Sequence, residues 1–419
     1  MTFSEFCEHA EQYVVEIIGG RRRTVYDKIF CAVLFCLSRI YRNVVQLRLT
    51  LYRERVLLRQ RMLGCFVVSV GNLTVGGTGK TPVVEVFART LSAKGRKVAI
   101  LSRGYRSKPP PLWNRLRSLF LKDYKSVPPR VVSDGKRLLM NSALAGDEPY
   151  MLASNLKDVC VVVDKDRVKG GLYAIRELGA DTLLLDDGFQ YLRLKPTVSI
   201  LLVDSTNPFH NHHPLPRGLL REPIKNVRRA DFIFLTKSSG GSHLRHLKKF
   251  IRKHNSKAEI IECTHRPMHL QDVYTEEREP LSLLQGRRVA AVCGIAAPES
   301  FENFLSKFGA TLVHVERYAD HHRYRQQEII DFVNASQEAG AELIVTTEKD
   351  AVRFPRLDRR DVPIFFLRVE IDILSGKESF NECISRICFT NRGTVNRPVP
   401  NGEKPVAALC DTGRLSKLE

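Results

Sequence analysis

What this sequence lacks narrows it first. Its ten cysteines fall without a Cys-x-x-Cys pair or any spacing suited to zinc, and they read as reduced, mostly buried thiols in a cytosolic setting. No secretory signal pattern precedes the first basic residues. The apolar run 29–37 is broken by Ser38, Arg39 and Arg42, well short of the ~20 residues of a spanning helix, so no transmembrane segment is expected. No internal repeat is evident. Acidic residues are outnumbered 46 to 66, and the net charge of +20 points to a polyanionic partner: nucleic acid, an acidic membrane surface or a phosphorylated substrate. Charge alone does not choose among them.

What is present suffices for two packed domains: 419 residues, 43% hydrophobic and 27% charged. From Val25 to about Leu58 there is neither glycine nor proline, and Ile29, Val33, Leu37, Ile40 and Val44 recur at helical spacing among Arg39, Arg42, Arg48, Arg53, Arg55 and Arg59. This suits a helix in a membrane interface, arginines on phosphates, and equally an amphipathic helix capping a core. Apolar strand patterns follow at 65–70, 98–101, 159–163, 182–185, 200–203, 232–235, 289–292, 343–345 and 364–367, alternating with helical stretches, which predicts an α/β fold. The stretch 107–130, with three consecutive prolines and with Trp113, Leu116, Leu119 and Phe120 among basic residues, reads as an inserted loop. After Ile373 the periodicity is lost and a loosely ordered tail is expected.

Between the first strand and the next helix stands Thr74-Val75-Gly76-Gly77-Thr78-Gly79-Lys80-Thr81. Its ending is that of a Walker A loop. Glycines let backbone N–H groups close around phosphates, Lys80 reaches the β and γ oxygens, and Thr81 can ligate Mg²⁺. Thr74 stands where the first glycine of that pattern belongs. A second element, Thr182-Leu183-Leu184-Leu185-Asp186-Asp187-Gly188, is an apolar strand ending in two carboxylates, where a Walker B metal site would sit. Either carboxylate could touch the ion. Taken alone, such a pair is often a solvated turn.

Further strings, in order, are Ser102-Arg103-Gly104-Tyr105, Gly146-Asp147-Glu148-Pro149, Asp166-Arg167, Asp186-Asp187-Gly188-Phe189-Gln190, Leu219-Leu220-Arg221-Glu222-Pro223, Asp320-His321 and Thr347-Glu348-Lys349-Asp350. Together with the loop, they resemble the tetraacyldisaccharide 4'-kinase family over residues 29–367. That family also writes threonine at the Thr74 position. The resemblance implies transfer of the γ-phosphate of ATP to the 4'-hydroxyl of a lipid A precursor, a tetraacyldisaccharide 1-phosphate, giving lipid IV-A. The protein would be peripheral, at the cytoplasmic face of the bacterial inner membrane, with no nucleic acid and no protein partner implied.

The same resemblance implies that Asp147 is the general base and that His321, from the second subdomain, assists it, with His322 as a substitute. By themselves Asp147 and Glu148 before Pro149 read as an ordinary helix start, and a lone histidine as structural. Glu148, Arg103, Tyr105, Arg167 and Arg221 are implied contacts to substrate or nucleotide, and Glu222 would complete the magnesium shell. The fold implied is a P-loop NTPase-type parallel sheet flanked by helices, with a second, smaller α/β subdomain and an N-terminal amphipathic helix. Its expected parts are 1–62 for the helix region, 63–225 for the nucleotide-binding domain, 226–375 for the closing subdomain and 376–419 for the tail. Three departures stand out: Tyr191 replaces the family's histidine after Asp186-Asp187-Gly188-Phe189-Gln190, His210-Asn211-His212-His213-Pro214 replaces a glycine-rich string, and the 107–130 insertion is long.

A P-loop GTPase or metallochaperone-type switch is the competing reading, because Phe234-Leu235-Thr236-Lys237-Ser238-Ser239 begins like a guanine-specificity motif. Ser239 occupies the place of the aspartate that reads guanine, which weighs against GTP. A nucleic-acid binder would show a helix-turn-helix, RNP or zinc-finger string, and none is present. The charge is better matched by an anionic membrane and a phosphorylated lipid.

Overall fold

The structure, a computed structural model, describes residues 16–17, 24–55, 57–104, 128–275, 277–295, 297–357 and 361–389. Tyr105, the expected inserted loop as far as residue 127 and the tail from residue 390 lie outside the described residues. So does most of the N-terminal region before Thr24.

The first long element is α1 (Val25–Glu54). Thr24 caps it reciprocally, accepting from the Asp27 N–H at 3.3 Å while the Asp27 carboxylate accepts from the Thr24 N–H at 2.9 Å. Ser38 does not break the helix: its hydroxyl is buried and donates to the Pro214 carbonyl at 2.9 Å. By length and composition alone α1 is therefore long and apolar enough to cross a membrane, with mean hydropathy 1.3 over its most apolar 18 residues. The apolar stretch is thus longer than the run 29–37 suggested, because the arginines interrupt hydropathy without interrupting the helix. Tyr26, Ile29, Val33, Leu37, Ile40, Val44 and Leu47 form an exposed stripe at three- and four-residue steps.

Eight further elements begin the nucleotide half: β1 (Phe66–Asn72), α2 (Lys80–Ala93), β2 (Val98–Ser102), β3 (Arg130–Asp134), the short α3 (Ser142–Ala145), α4 (Asp147–Asn155), β4 (Cys160–Val163) and α5 (Arg167–Arg176). Then come β5 (Thr182–Leu185), β6 (Val198–Asp204), β7 (Phe232–Thr236), α6 (Ser242–His254), β8 (Glu259–Asp272) and β9 (Arg278–Glu279). The chain closes with β10 (Arg288–Cys293), α7 (Pro298–Lys307), β11 (Thr311–Arg317), α8 (Gln326–Glu338), β12 (Leu343–Thr347), α9 (Glu348–Ala351), β13 (Ile364–Ser375) and α10 (Lys377–Phe389).

All strands join one sheet, in the order β11, β10, β12, β13, β8, β7, β6, β1, β5, β2, β4, β3, with β9 on β8. Pairing is parallel except where β3 meets β4 and where β8 meets β13 and β9. The expected parallel α/β architecture with helices on its faces is thus present. Central strands such as β1, buried along their whole length, read as continuous apolar runs because both faces are covered. β8 changes partners along its length: Glu259 to Glu262 run parallel to β7, and the rest runs antiparallel to β13. That ribbon joins the two halves of the sheet, and β7, beyond the expected boundary at 225, pairs with β6 in the first half.

The tail expected from residue 376 is corrected over its first part. α10 places Phe380, Cys383, Ile384 and Ile387 at i, i+3, i+4 and i+7, all buried, with the Phe380 ring 5.2 Å from that of Phe87 on α2. The last strand thus leads into a helix that returns to the core of the nucleotide half.

Candidate active site

β1 delivers the chain to the cradle and α2 leaves it. Gly79 caps α2 at φ +73, the left-handed region that favours glycine, and a Cβ there would lie 2.7 Å from Cε1 of His265. Around the loop, the Asn72 side-chain amide donates to the Thr78 hydroxyl at 2.9 Å, and the Thr236 hydroxyl donates to the Thr78 carbonyl at 2.9 Å. Lys237 bridges the Gly77 carbonyl at 3.1 Å and Asp204 at 2.7 Å. Val75 donates to the Leu219 carbonyl at 2.7 Å. The loop is therefore tied to strands on both sides. Lys80 Nζ lies 3.4 Å from the Asn72 side-chain oxygen and 3.4 Å from Asp187.

β5 ends at the two carboxylates. Asp186 is buried and accepts from the Ser102 hydroxyl at 3.1 Å. Burial, with Glu148 and Asp187 adding negative charge nearby, pushes its carboxyl up to about 7 despite Lys80 and Ser102. Asp187 is pulled the other way. Burial raises it, but Lys80 and Arg221 outweigh that, and Arg221 Nη1 holds both of its oxygens at 2.8 and 2.7 Å. An under-neutralised carboxylate at the end of β5, the strand paired with the β1 that leads into the loop, suits a hard cation that keeps several waters and uses phosphate oxygens as well. Among the described residues there is no cluster of three or more metal-ligating side chains. A magnesium site of one or two carboxylates plus nucleotide does not need one.

Asp147 opens α4 and is buried there. His321, at φ +66, brings Nδ1 to 3.2 Å from Asp147 Oδ2, across the two halves of the sheet. Lys349 Nζ stands 3.1 Å from His321 Nε2. Because an ammonium only donates, Nε2 accepts and the ring hydrogen sits on Nδ1, facing the carboxylate. Arg353, fully buried, donates from Nε to Asp147 Oδ2 at 2.9 Å and from Nη1 to Asp350 at 3.1 Å. Burial raises the Asp147 carboxyl, yet His321, Arg353 and Arg323 together hold it below its ordinary value. His322 does not reach Asp147 in this arrangement but pairs with Glu328 at 3.0 Å.

The remaining expected residues divide. Arg167 is buried, stacks its guanidinium 5.0 Å from the Tyr191 ring and donates to the Asp186 carbonyl at 3.4 Å. Arg103 is exposed just beyond β2. Tyr191, the departure from the family pattern, donates to Asp166 at 2.9 Å, and Asp166 caps α5. Glu222 does not join the carboxylate pair: both of its oxygens take Arg229 Nη2 at 2.7 Å, and Asn226 adds a bond at 2.8 Å. The Glu222 carboxylate is thus already matched by the half-buried Arg229 guanidinium. Sequence reasoning missed Asn72, Lys237 as a loop tie, His265 and Arg353. Lys349 and Asp350 lay within a string already singled out, whereas Arg353 carried no signal beyond its distance of three residues from Asp350, one helical turn away.

A model of the family described as Tetraacyldisaccharide-1-P 4'-kinase matches residues 30–388. The chain is 33% identical over 379 residues to the tetraacyldisaccharide 4'-kinase of Halothermothrix orenii, covering 87% of this chain and 94% of that protein. It is 37% identical to the enzyme of that name from Syntrophus aciditrophicus, covering 83% of this chain and 91% of that protein. A crystal structure of LpxK from Aquifex aeolicus in complex with ATP superposes with a TM-score of 0.66 at 28% identity, over 86% of this chain and all of that one.

Proposed function

The chain belongs to the tetraacyldisaccharide 4'-kinase family, and we propose on that premise how its own residues carry the reaction: transfer of the γ-phosphate of ATP to the 4'-hydroxyl of a tetraacyldisaccharide 1-phosphate, giving lipid IV-A and ADP. The observation that carries this assignment is the approach of Asp147 and His321 at 3.2 Å. It joins a carboxylate at the start of one helix to an imidazole from the opposite half of the sheet, the arrangement a base for an acceptor hydroxyl requires.

In this reading the loop of Thr74, Val75, Gly76, Gly77, Thr78, Gly79, Lys80 and Thr81 cradles the phosphates of ATP, its backbone N–H groups and the α2 N-terminus facing the negative charge. Thr81, Asp186 and Asp187 would hold magnesium, which when bound would offset charge on the phosphate oxygens. Asp147 takes the proton of the 4'-hydroxyl as its oxygen attacks the γ-phosphorus and the bond to ADP breaks. His321, donating from Nδ1, orients that carboxylate, and Lys349 fixes the ring. Arg353 keeps Asp147 ionised at neutral pH, at some expense of basicity. Glu148 and Arg103 are proposed to contact the acceptor. Arg221 acts through the Asp187 carboxylate it already holds, and Arg167 through the backbone carbonyl of Asp186. Domain 63–225 supplies nucleotide and base, domain 226–375 supplies the histidine, and closure of one on the other would complete the site.

The enzyme is further proposed to sit peripherally on the cytoplasmic face of the inner membrane, with the exposed apolar stripe of α1 against an anionic bilayer. The test is phosphoryl transfer to the disaccharide 1-phosphate by the wild type and by Asp147→Ala. A loss of about two orders of magnitude or more in kcat is expected of the variant, the usual scale for a general base. Near-normal turnover would remove Asp147 from the mechanism.

A further inference from the structure

A cavity of about 300 Å³ opens between α1 and the histidine-rich loop that precedes Arg221. Phe35, Arg39 and Arg42 line it from the helix at i, i+4 and i+7, and His212, His213 and Ile224 close it from the body of the protein. The Phe35 ring meets that of His213 edge-on at 5.8 Å, and the Ser38 bond to the Pro214 carbonyl pins helix to loop. The cavity is thus held by both its walls. No carboxylate lines it. Neither Arg39 nor Arg42 makes a hydrogen bond or ion pair with a described residue. Arg167 and Arg221, the arginines of the sequence motifs, are by contrast engaged inside the protein, with Asp186 and Asp187.

Two guanidinium groups and two imidazoles around one acid-free cavity suit a phosphate group, which guanidinium grips through paired N–H donors. Helix geometry says which phosphate. Arg42 is half-buried and stands two residues from both Ile40 and Val44 of the exposed apolar stripe, or about 200° around the helix, whereas Arg39 is exposed and stands one residue from Ile40, about 100° away on the flank. Arg42 therefore faces away from the side that would meet acyl chains, toward the protein, where the sugar part of a lipid would lie rather than the bulk bilayer, and Arg39 lines the same cavity from its exposed flank. The cavity is also near the reacting centre. Arg221 holds Asp187, and Ile224, three residues on, is cavity wall, so the two ends are joined by at most about 11 Å of extended backbone. Tyr41, on the same helix, donates to the Arg221 carbonyl at 3.0 Å and fixes that short span.

We infer that this cavity receives the phosphate that the acceptor lipid already carries, at the end remote from the hydroxyl that reacts, with Arg39 and Arg42 as its principal ligands. The inference rests on the kinase reading above. It gives the substitution of histidines for a glycine-rich string a purpose, since His212 and His213 add donors where a glycine would add none.

The test compares Arg39→Gln/Arg42→Gln with the wild type in detergent micelles, using tetraacyldisaccharide with and without its 1-phosphate. The variant is expected to raise KM for the phosphorylated acceptor about tenfold or more, the scale of a lost charge-assisted hydrogen bond, and to narrow the preference for the phosphorylated acceptor toward one. Arg39→Lys/Arg42→Lys should recover part of that preference, and a thermal melt checks that both variants fold. An unchanged KM, or an equal rise with both acceptors, overturns the inference. So does selective loss of binding to vesicles containing phosphatidylglycerol with the micelle KM unmoved, which would make the ligand a bilayer headgroup. Equilibrium binding of the phosphorylated acceptor separates this outcome from failure of the kinase reading: a wild type that binds that lipid through the arginines yet transfers no phosphate would refute the latter alone.

Discussion

Arg353 and Asp147, 206 residues apart in the chain, form a buried ion pair in which Arg353 Nε donates to Asp147 Oδ2 at 2.9 Å. The same guanidinium reaches Asp350 at 3.1 Å, and Asp350 in turn accepts from the Gly294 N–H at 3.1 Å and the Tyr324 hydroxyl at 3.0 Å. The carboxylate proposed as base is therefore anchored to the second half of the protein by Arg353.

Replacing Arg353 by methionine should act twice. Removing the guanidinium leaves burial less opposed, so the Asp147 carboxyl rises and the acid limb of the kcat/KM profile moves to higher pH. Arg353→Lys should return most of that limb. Breaking the buried pair is also expected to cost about 3–5 kcal/mol at pH 7. A depressed carboxyl contributes its stability above its ordinary value of 3.8 and loses it as the pH falls through the lower folded value, so at pH 7 titration plays no part. An unmoved acid limb in the methionine variant would show that Arg353 does not set the ionisation of Asp147.

His265 gives a prediction of opposite sense. Burial first, then Lys237, lowers its imidazole to about 4, with Asp204 opposing. A histidine held neutral in the fold stabilises fully above its unfolded value of 6.5 and loses that contribution as the pH falls toward 4, by roughly 3 kcal/mol at most, at 1.36 per unit. The melting temperature of the wild type should fall over that window more steeply than that of His265→Gln. Parallel curves would count against it.

Gly79→Ala should strike the cradle. The left-handed conformation costs a residue with a Cβ about 1–2 kcal/mol, and the added carbon would sit against the His265 ring. The expected result is a rise in KM for ATP of about tenfold with a lowered melting temperature, read by nucleotide titration and thermal denaturation. An ATP KM within twofold of wild type would mean that His265 yields freely.

Phe380→Ala tests the docking of α10. The ring is buried and edge-on to Phe87 and Phe234, so its loss should cost about 3–5 kcal/mol in denaturant unfolding. A change below about 0.5 kcal/mol, the range of surface substitutions, would place the helix outside the cooperative core.

Much of the architecture was legible because its signals are local. The nine apolar runs read as strands all lie in the sheet, since a strand covered on both faces must be apolar throughout. The strands that escaped notice, β3, β8, β9 and β11, have a mixed burial pattern or are very short, and β8 carries Thr264, His265, Arg266 and His269 where it leaves the core. α10 escaped because its four anchoring residues lie beside a stretch rich in Asn, Gly, Arg and Pro. α1 was legible as a helix from its spacing and its lack of glycine and proline, and its arginines masked only the length of its apolar stretch, because hydropathy counts charge whereas helix propensity does not.

The sequence by itself determined the glycine-rich loop proposed to hold phosphates and the carboxylate pair, because each is a run of consecutive residues at the end of a strand and its geometry follows from that strand, a turn and a helix start. It also determined family membership, through the order of its short strings. Only the tertiary structure decided which charges meet. It gave Glu222 to Arg229 rather than to the carboxylate pair, lifted Asp186 and lowered Asp187 on adjacent positions, bound Asp147 to Arg353 and His321, and left Arg39 and Arg42 facing a cavity. The reason is physical: ionisation and pairing depend on burial and on charges a few ångströms away, and those neighbours come from strands and helices far apart in the chain.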